Sequence, residues 1–574
     1  MKWIVSMICA GAVLTCQAAT YYVTTNGNDS TGDGSAGSPW LTISNAVSKA
    51  GVNDTVLVSN GTYIVTTNIY INKAITVRGL DAPTGAVIST FYPDVNYSAR
   101  CVRINSAGAV FDGFTVEKGY PDLSDNYSMG AGIWVQAGVV TNCIVRHCTS
   151  VSLYNGGGGM YLGYPNSLAT DCVIVSNQHL VGTGSGGGGV AIYGGAQLRR
   201  SVVRYNYRTG AGGGVNISTE GTVADCMIAD NWVASNAMGA GLSIGGRVLV
   251  DSCIISNNTN AVHGGGISAG AGTSIFNNCT ITHNEAAWGG GGLLVTGNGL
   301  AVVSNSTIAC NRALYGAGVA NNANTASYGT LDIARSRVVA NTNRAWHGAG
   351  IYLRNHSNLN SVVDCVIASN VCGTNNTGGG IYTDNYSGNS GNATSLFRNC
   401  LIRGNRAPGG SLGRGGGFYI GTGITEVLSC TIVENEAGRE GGGIYIVAEA
   451  APDKARIWNT AVAANLTNGG SAAANTADLY LPAAGLTNAF YYSCSPMLTN
   501  AAQGNITNAP VFAAPGAGDF RLTAASPGVN AGTNQTWMAG AADLDGWPRV
   551  DRVARRVDIG CYEYIPPATL FMLR

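Results

Sequence analysis

The sequence predicts an all-β solenoid of three strands per coil, on three observations. A small residue recurs at Cys143, Cys172, Ser201, Cys226, Cys253, Cys279, Ser306, Ser336, Cys365, Cys400, Cys430 and Thr460, at spacings of 25 to 35 residues. A repeat of that length is one unit that can bury its apolar face only against its neighbours. From the second repeat on, an asparagine follows five residues later, at Asn177, Asn206, Asn231, Asn258, Asn284, Asn311, Asn341, Asn370, Asn405, Asn435 and Asn465. Each repeat also carries a glycine run followed by an alternating strand, clearest as Gly441-Gly442-Gly443-Ile444-Tyr445-Ile446.

Each part of the coil has a physical reason. Ile351-Tyr352-Leu353, Phe418-Tyr419-Ile420 and Ile444-Tyr445-Ile446 alternate in, out, in, as a first strand should. A second strand ends three residues before the small residue, at Leu198, Val223, Val250, Phe276, Val303, Ile333, Val362, Phe397, Val427 and Ile457. The position just before the small residue is polar, as in Asn142, Asp171, Asp225, Asn278, Asn305, Asp364, Asn399 and Asn459. Asn and Asp tolerate left-handed backbone, so this column marks a sharp bend into the third strand. The small residue and the aliphatic two later face inward, and the asparagine ends the strand. Its amide can hydrogen-bond the coils on both sides. Glycines permit positive φ where the loop re-enters the first strand. Coils stacked ~4.8 Å apart would make twelve repeats a rod of roughly 55 Å.

Bulk properties agree. Gly 83 and 11% charged residues hint at low complexity, but 45% hydrophobic residues favour a packed array over disorder. The net charge of +0 gives no electrostatic case for nucleic acid or an anionic membrane. Residues 1-19 read as a secretory signal: Lys2, an apolar run from Trp3 to Leu14, then Cys16-Gln17-Ala18-Ala19. Thr15 fits a lipoprotein motif at Cys16 poorly. No later stretch has the ~18 consecutive apolar residues of a membrane span. Eight cysteines sit in the small-residue column and read as compact buried hydrophobes. Cys148, Cys310, Cys372, Cys494 and Cys561 lie off it and could pair. No Cys/His spacing suggests zinc, so no metal is expected.

The domain organisation follows: 20-142 a cap and first coils, 143-470 the repeats, 471-564 a C-terminal cap, 565-574 a tail. Leu41, Ile43, Ala46, Val47 and Ala50 suit a short amphipathic helix laid over the open edge of the first coil. Tyr21-Tyr22-Val23, Pro39-Trp40-Leu41-Thr42-Ile43 and the strands from Asp54 to Tyr63 resemble the N-terminal cap of the pectate-lyase-like proteins. That resemblance implies a right-handed parallel β-helix with a saccharide groove along the first strand and the loop leading into it. The glycine-run and asparagine pairing is similar to repeats of the polymorphic outer membrane proteins, which are surface adhesins. This sequence lacks the C-terminal membrane barrel of that family. Asp519-Phe520-Arg521-Leu522, Ser526-Pro527-Gly528, Asp543-Leu544-Asp545-Gly546-Trp547-Pro548-Arg549 and Val557-Asp558-Ile559-Gly560-Cys561-Tyr562-Glu563 resemble a choice-of-anchor Q module. These blocks read as turns closing the far end of the rod. The Asp543/Asp545 pair suggests calcium less than it suggests a turn.

Because inward positions are buried, a site must lie on an outer strip or loop. The residue before each glycine run forms a column, Met238, His263, Trp288, Tyr315, His347, Thr377, Arg414, Glu440. His263, Trp288, Tyr315 and His347 would span ~15 Å, the scale of a few sugar rings. Aromatic faces pack on sugar C–H surfaces, and imidazole and guanidinium bind hydroxyls or carboxylates. His283, Glu285, Arg312, Arg344 and Trp346 lie nearby. The bland alternative is that these aromatics only shield bare glycine backbone. Tyr352, Tyr382, Tyr419 and Tyr445 form a second column, read as exposed stacked rings. Glu285/Arg312, Arg406/Glu436 and Arg414/Glu440 read as charge pairs between coils. A lyase would need a base, His347 or Tyr315, and a cation beside the uronate, Arg344 or Arg312. A hydrolase needs two facing carboxyls, and the group Glu434, Glu436 and Glu440 has arginine neighbours instead. The expected function is therefore an exported, bacterial cell-surface monomer that binds polysaccharide or another surface partner without catalysis. The rivals are a polysaccharide lyase or glycoside hydrolase, and a structural spacer or adhesin.

Overall fold

The computed structural model describes residues 18–566 apart from 82, 92–98, 122–128, 154–155, 182–183, 235, 261, 322–328, 356–358, 386–393, 410–411, 448–453, 469–476, 482–487, 499–500 and 552. Most of the expected signal (1–17) and tail (567–574) lie outside the described residues. The chain is a right-handed parallel β-helix. One coil shows how the sequence builds it. Leu293–Val295 is the first strand, with Leu293 and Val295 fully buried. Leu300–Ser304 is the second, placing Ala301 and Val303 in the core. Asn305 then turns the chain with φ 50. Thr307–Ala309 is the third strand, with Ile308 inward. Each strand pairs in register with its equivalents in the coils before and after. The third strands alone form a parallel sheet of fifteen, about 65–70 Å from first to last.

The corner column is left-handed at every position expected, from Asn142 to Asn459. A second left-handed column was not expected: His147, Ser176, Tyr205, Asp230, Asn257, His283, Cys310, Ala340, Ser369 and Glu434, each one residue before the ladder position. It opens a fourth, two-residue strand after the asparagine, such as Arg312–Ala313. The side chains there vary freely, so no residue type betrays the turn.

The asparagines form one continuous ladder. The backbone N–H of each, from Asn177 to Asn435, donates to the Oδ1 of the next at 2.9–3.1 Å. Each Nδ2 donates both to that same Oδ1 and to a carbonyl of the coil before, as Asn311 does to Asn341 and Ile281. The ladder ends on Asp478, whose Oδ1 accepts from Asn465. Beside it runs the small-residue column, where Cys172, Cys279, Ser306, Cys430 and Thr460 donate their N–H to the hydroxyl of the next coil. All fourteen cysteines described, including the five that sequence left open to pairing, are free thiols.

The ends differ in design. The helix Ile43–Lys49 buries Ile43, Ala46 and Val47 over the first coil, and Thr42 caps it by accepting from Asn45 N. Leu41 precedes the helix and stays exposed. At the other end Leu479, Phe490 and Leu498 continue the core past the last repeat, whereas the blocks from Asp519 to Glu563, expected to close the tip, pack on the side. Residues from Phe512 onward fold back along the flank of the third-strand sheet. Phe520, Cys561, Leu544 and Tyr562 pack on Leu401 and Val433. Asn399 Nδ2 donates to Ala542 O, and Asn459 exchanges two bonds with Thr533. Asp543 accepts from the N–H groups of Asp545, Trp547 and Glu563, and Asp545 is held by Arg521, so this pair forms a turn. The module therefore covers one outward column of the sheet at Val366, Leu401 and Thr431 and leaves it bare at Val173, Met227 and Ile254.

The ladder makes a stability prediction. Asn311→Ala removes the acceptor of two Asn284 donors and the donor to Ile281 O. Unmade buried hydrogen bonds cost about 1–3 kcal/mol per group, so a loss of at least about 3 kcal/mol in urea unfolding is expected. Thr280→Ala, on the exposed face, should change stability by less than about 0.5 kcal/mol.

Candidate functional site

The loops between the asparagine and the first strand end in a left-handed glycine: Gly264, Gly290, Gly316, Gly348 and Gly378, with φ between 51 and 70. The residue before that glycine sets the candidate column. Its backbone register runs Met238, His263, Gly289, Tyr315. Trp288 is therefore out of the column by one residue, and Gly289 takes its place. The run Gly289-Gly290-Gly291-Gly292 is one glycine longer than the turn needs, which hid the register. Tyr315 lies over that extra glycine: a Cβ on Gly289 would stand 2.2 Å from the Tyr315 ring. For Tyr315, shielding of bare backbone is what the structure shows, and the side chain is 3% exposed.

Trp288 instead projects from the loop. It meets Trp346 edge to face, with ring centres 5.8 Å apart and planes at 85°. Both indoles are 46% exposed. Trp346 stacks on Tyr315 at 5.7 Å, and His263 lies 6.3 Å from both Trp288 and Tyr315. Tyr315 in turn touches Tyr352, the start of the tyrosine column. Tyr352, Tyr382, Tyr419, Tyr445 and also Tyr480 stack at 4.9–5.2 Å with planes within 13°. The stack is as expected, but its exposure is not. Tyr352, Tyr382 and Tyr445 are only 6–8% exposed, because each ring covers its neighbours' faces. The column acts as a support for the indoles more than as an open surface.

The catalytic candidates are differently placed. His347 stacks on Tyr382 at 4.7 Å, and its Nδ1 lies 2.8 Å from Thr377 Oγ1 and 3.4 Å from Thr377 N. Burial brings its pKa down to about 4, and burial also lowers His263. Burial raises Tyr352 and Tyr382 above the ordinary phenol value. Arg344 is ion-paired with Glu285, two coils away. Arg312 is the in-register neighbour of Glu285, yet the carboxylate is engaged by Arg344, which corrects the expected Glu285/Arg312 pair. Arg312 is exposed. Arg406–Glu436 and Arg414–Glu440 pair as expected, each at 2.9 Å. Among the described residues no group of three or more His, Cys, Asp or Glu is placed to hold a metal.

Sequence reasoning missed the other end of the same face. The outward column of the first strand runs Tyr70, Arg103, Trp134, Tyr161, Ala191, Asn216, Ser243, Ser268, Leu294, Ala320, Tyr352. The Arg103 guanidinium lies between two rings, 4.9 Å from Tyr70 and 4.3 Å from Trp134. Ala191, Asn216, Ser243 and Ser268 are the small stretch between two aromatic groups; Ala191, Asn216 and Ser268 are buried, and so are Trp134 and Tyr161. The strict alternation of the first strand carried that signal.

A family model described as "Right handed beta helix region" matches residues 188–367. No curated protein matches the chain. Among solved structures, the chain is similar to pectate lyase Pel9A, at 16% identity and TM-score 0.22, covering 95% of this chain and 96% of that one. A mannuronic acid specific polysaccharide family 6 lyase from human gut microbiota is 10% identical, TM-score 0.31, over 65% of this chain and 88% of its own. The Dettilon tailspike protein is 13% identical, TM-score 0.24, over 74% and 63%. Similarities this weak identify no function.

The histidine environment predicts an acid response. An unfolded histidine takes its proton near 6.5, while folded His347 takes it only near 4. Between those values the unfolded state binds more protons, so stability falls as pH drops through that window. His347→Gln should flatten the fall, measured as the urea midpoint between pH 7 and 4; an unchanged slope would show that His347 is not depressed.

Proposed function

We propose that this chain is an exported polysaccharide-binding β-helix, acting as a non-catalytic surface protein. The observation that carries the reading is the Trp288–Trp346 pair. Two half-exposed indoles are held in fixed orientation by buried Tyr315 and by the tyrosine stack beneath. Exposed, rigid aromatic area is expensive to leave in water and is the usual material of a sugar or partner contact.

Catalysis is poorly supported by the same geometry. His347 is a weak base with Nδ1 already engaged by Thr377, Tyr315 is buried, and Arg344 is committed to Glu285. Export is supported by the basic, apolar and small-residue pattern of residues 1-19. The reading also takes 143-470 as the repeat scaffold and the chain as a monomer.

Affinity electrophoresis against a panel of neutral and uronate polysaccharides tests the proposal. At least one polymer should retard the protein. Trp288→Ala and Trp346→Ala should each weaken that retardation about tenfold, or 1.4 kcal/mol, with the thermal midpoint unchanged. Unchanged binding in both variants would remove the band as the contact, and growth of the ultraviolet absorbance of an unsaturated uronate product would replace binding by a lyase reaction.

A further inference from the structure

Where the C-terminal module folds back on the coils it leaves a cleft of about 630 Å³, within the about 300–1,000 Å³ range of small-molecule sites. Its floor is made by the corners and third strands of two adjacent coils, at Arg335, Arg337, Asp364 and Val366. Its far wall is the module itself, with Trp537, Leu544 and Tyr562. Arg337 occupies the outward column at the step where the module begins to cover it, directly before Val366. Arg398, from the second strand, spreads its guanidinium over Trp537 at 4.7 Å.

The charges in this cleft are unequally committed. Asp543 is saturated by three backbone N–H groups, Asp545 is held by Arg521, and Asp364 accepts from Asn399. Among the described residues none of Arg335, Arg337 and Arg398 forms an ion pair. Arg335 Nε donates to the neutral amide of Asn305. Three guanidiniums thus line a cavity whose acids have hydrogen bonds from other donors, only Asp545 being paired with a cation, and guanidinium is the side chain suited to bidentate binding of planar or tetrahedral oxyanions. An indole and a phenol stand beside them.

We propose that this cleft is a binding site for an anionic sugar, with the acid group on Arg337 and Arg398 and the ring against Trp537 and Tyr562. A peptide ligand is disfavoured because extended peptides add to a free sheet edge, whereas the strand Arg337–Val339 at the floor is already paired on both sides. The site is on a different sheet from the Trp288–Trp346 band, so each can fail without the other.

The full chain would be titrated calorimetrically with a galacturonic acid trimer, with glucose 6-phosphate and with a neutral galactose trimer. The two acidic probes distinguish a carboxylate from a phosphate as the recognised group. At least one should bind ten times or more tightly than the neutral trimer. Arg337→Gln with Arg398→Gln should weaken that acidic probe at least tenfold, whereas Thr280→Ala, exposed on the same sheet and outside both sites, should leave its affinity unchanged. A matching thermal midpoint for the arginine variant excludes loss of fold, and the single exposed-site variant Arg337→Gln provides the same comparison if the double variant melts early. Failure of both acidic probes to bind, equal binding of the neutral trimer, or unchanged affinity in the arginine variants would overturn the proposal.

Discussion

From the third strand Val173–Val175 onward the chain leaves each such strand through a left-handed residue and brings a backbone N–H into the interior, where water cannot reach it. The asparagine that follows answers this with its own side chain, one coil displaced. Eleven such residues run from Asn177 to Asn465, each 0–3% exposed, and all pass their hydrogen bonds in the same direction. An amide is the natural side chain for this position. It carries an acceptor for the N–H and Nδ2 of one coil and two donors for its own needs, so the buried groups are satisfied without placing charge in the core. The last coil has Asp478 in that place. Burial raises its carboxyl, while the two bonds from Asn465 act to lower it.

The rest of the architecture depends on this alignment. With the asparagines locked, the inward aliphatics, the corner residues and the outward side chains fall into columns whether or not the loops between them have equal length. That is how Tyr352, Tyr382, Tyr419, Tyr445 and Tyr480 come to stack with nearly parallel planes, and how Arg414 reaches Glu440. Loops that vary in length are then free to carry unlike residues. The exposed indoles of Trp288 and Trp346 both stand on such loops, fixed from below by side chains that the columns hold.

The sequence was legible where a position is bound to a narrow set of residue types. Asparagine at the ladder, a polar residue at the corner (Asn or Asp in most coils, Arg200, Ser252, Arg335 and Ser429 in the others) and a small residue inside recur at fixed spacing, and each was located to the residue. Legibility ended where chemistry is not unique. The second left-handed column holds His147, Cys310, Ala340 and Glu434 alike, so nothing in its composition marks it. The surplus glycine at Gly289 shifted Trp288 off its assumed column. Burial of the tyrosines followed from rings covering one another, which a strand pattern read as outward-facing does not convey. The module from Phe512 to Glu563 has no repeat, so its turns were recognisable but the flank on which it packs was not, and the arginine-lined cleft it creates with that flank was invisible for the same reason.

Hydrogen exchange at the ladder amides tests the account most directly. The backbone N–H groups of Asn206 through Asn405, each donated to a buried side chain of the next coil, should belong to the slowest-exchanging class in the protein and should exchange together, as one cooperative unit. Exchange of these amides at the rate of the exposed loop residues, or independently from coil to coil, would mean that the asparagines do not hold the coils in register and that the columns built on them have another origin.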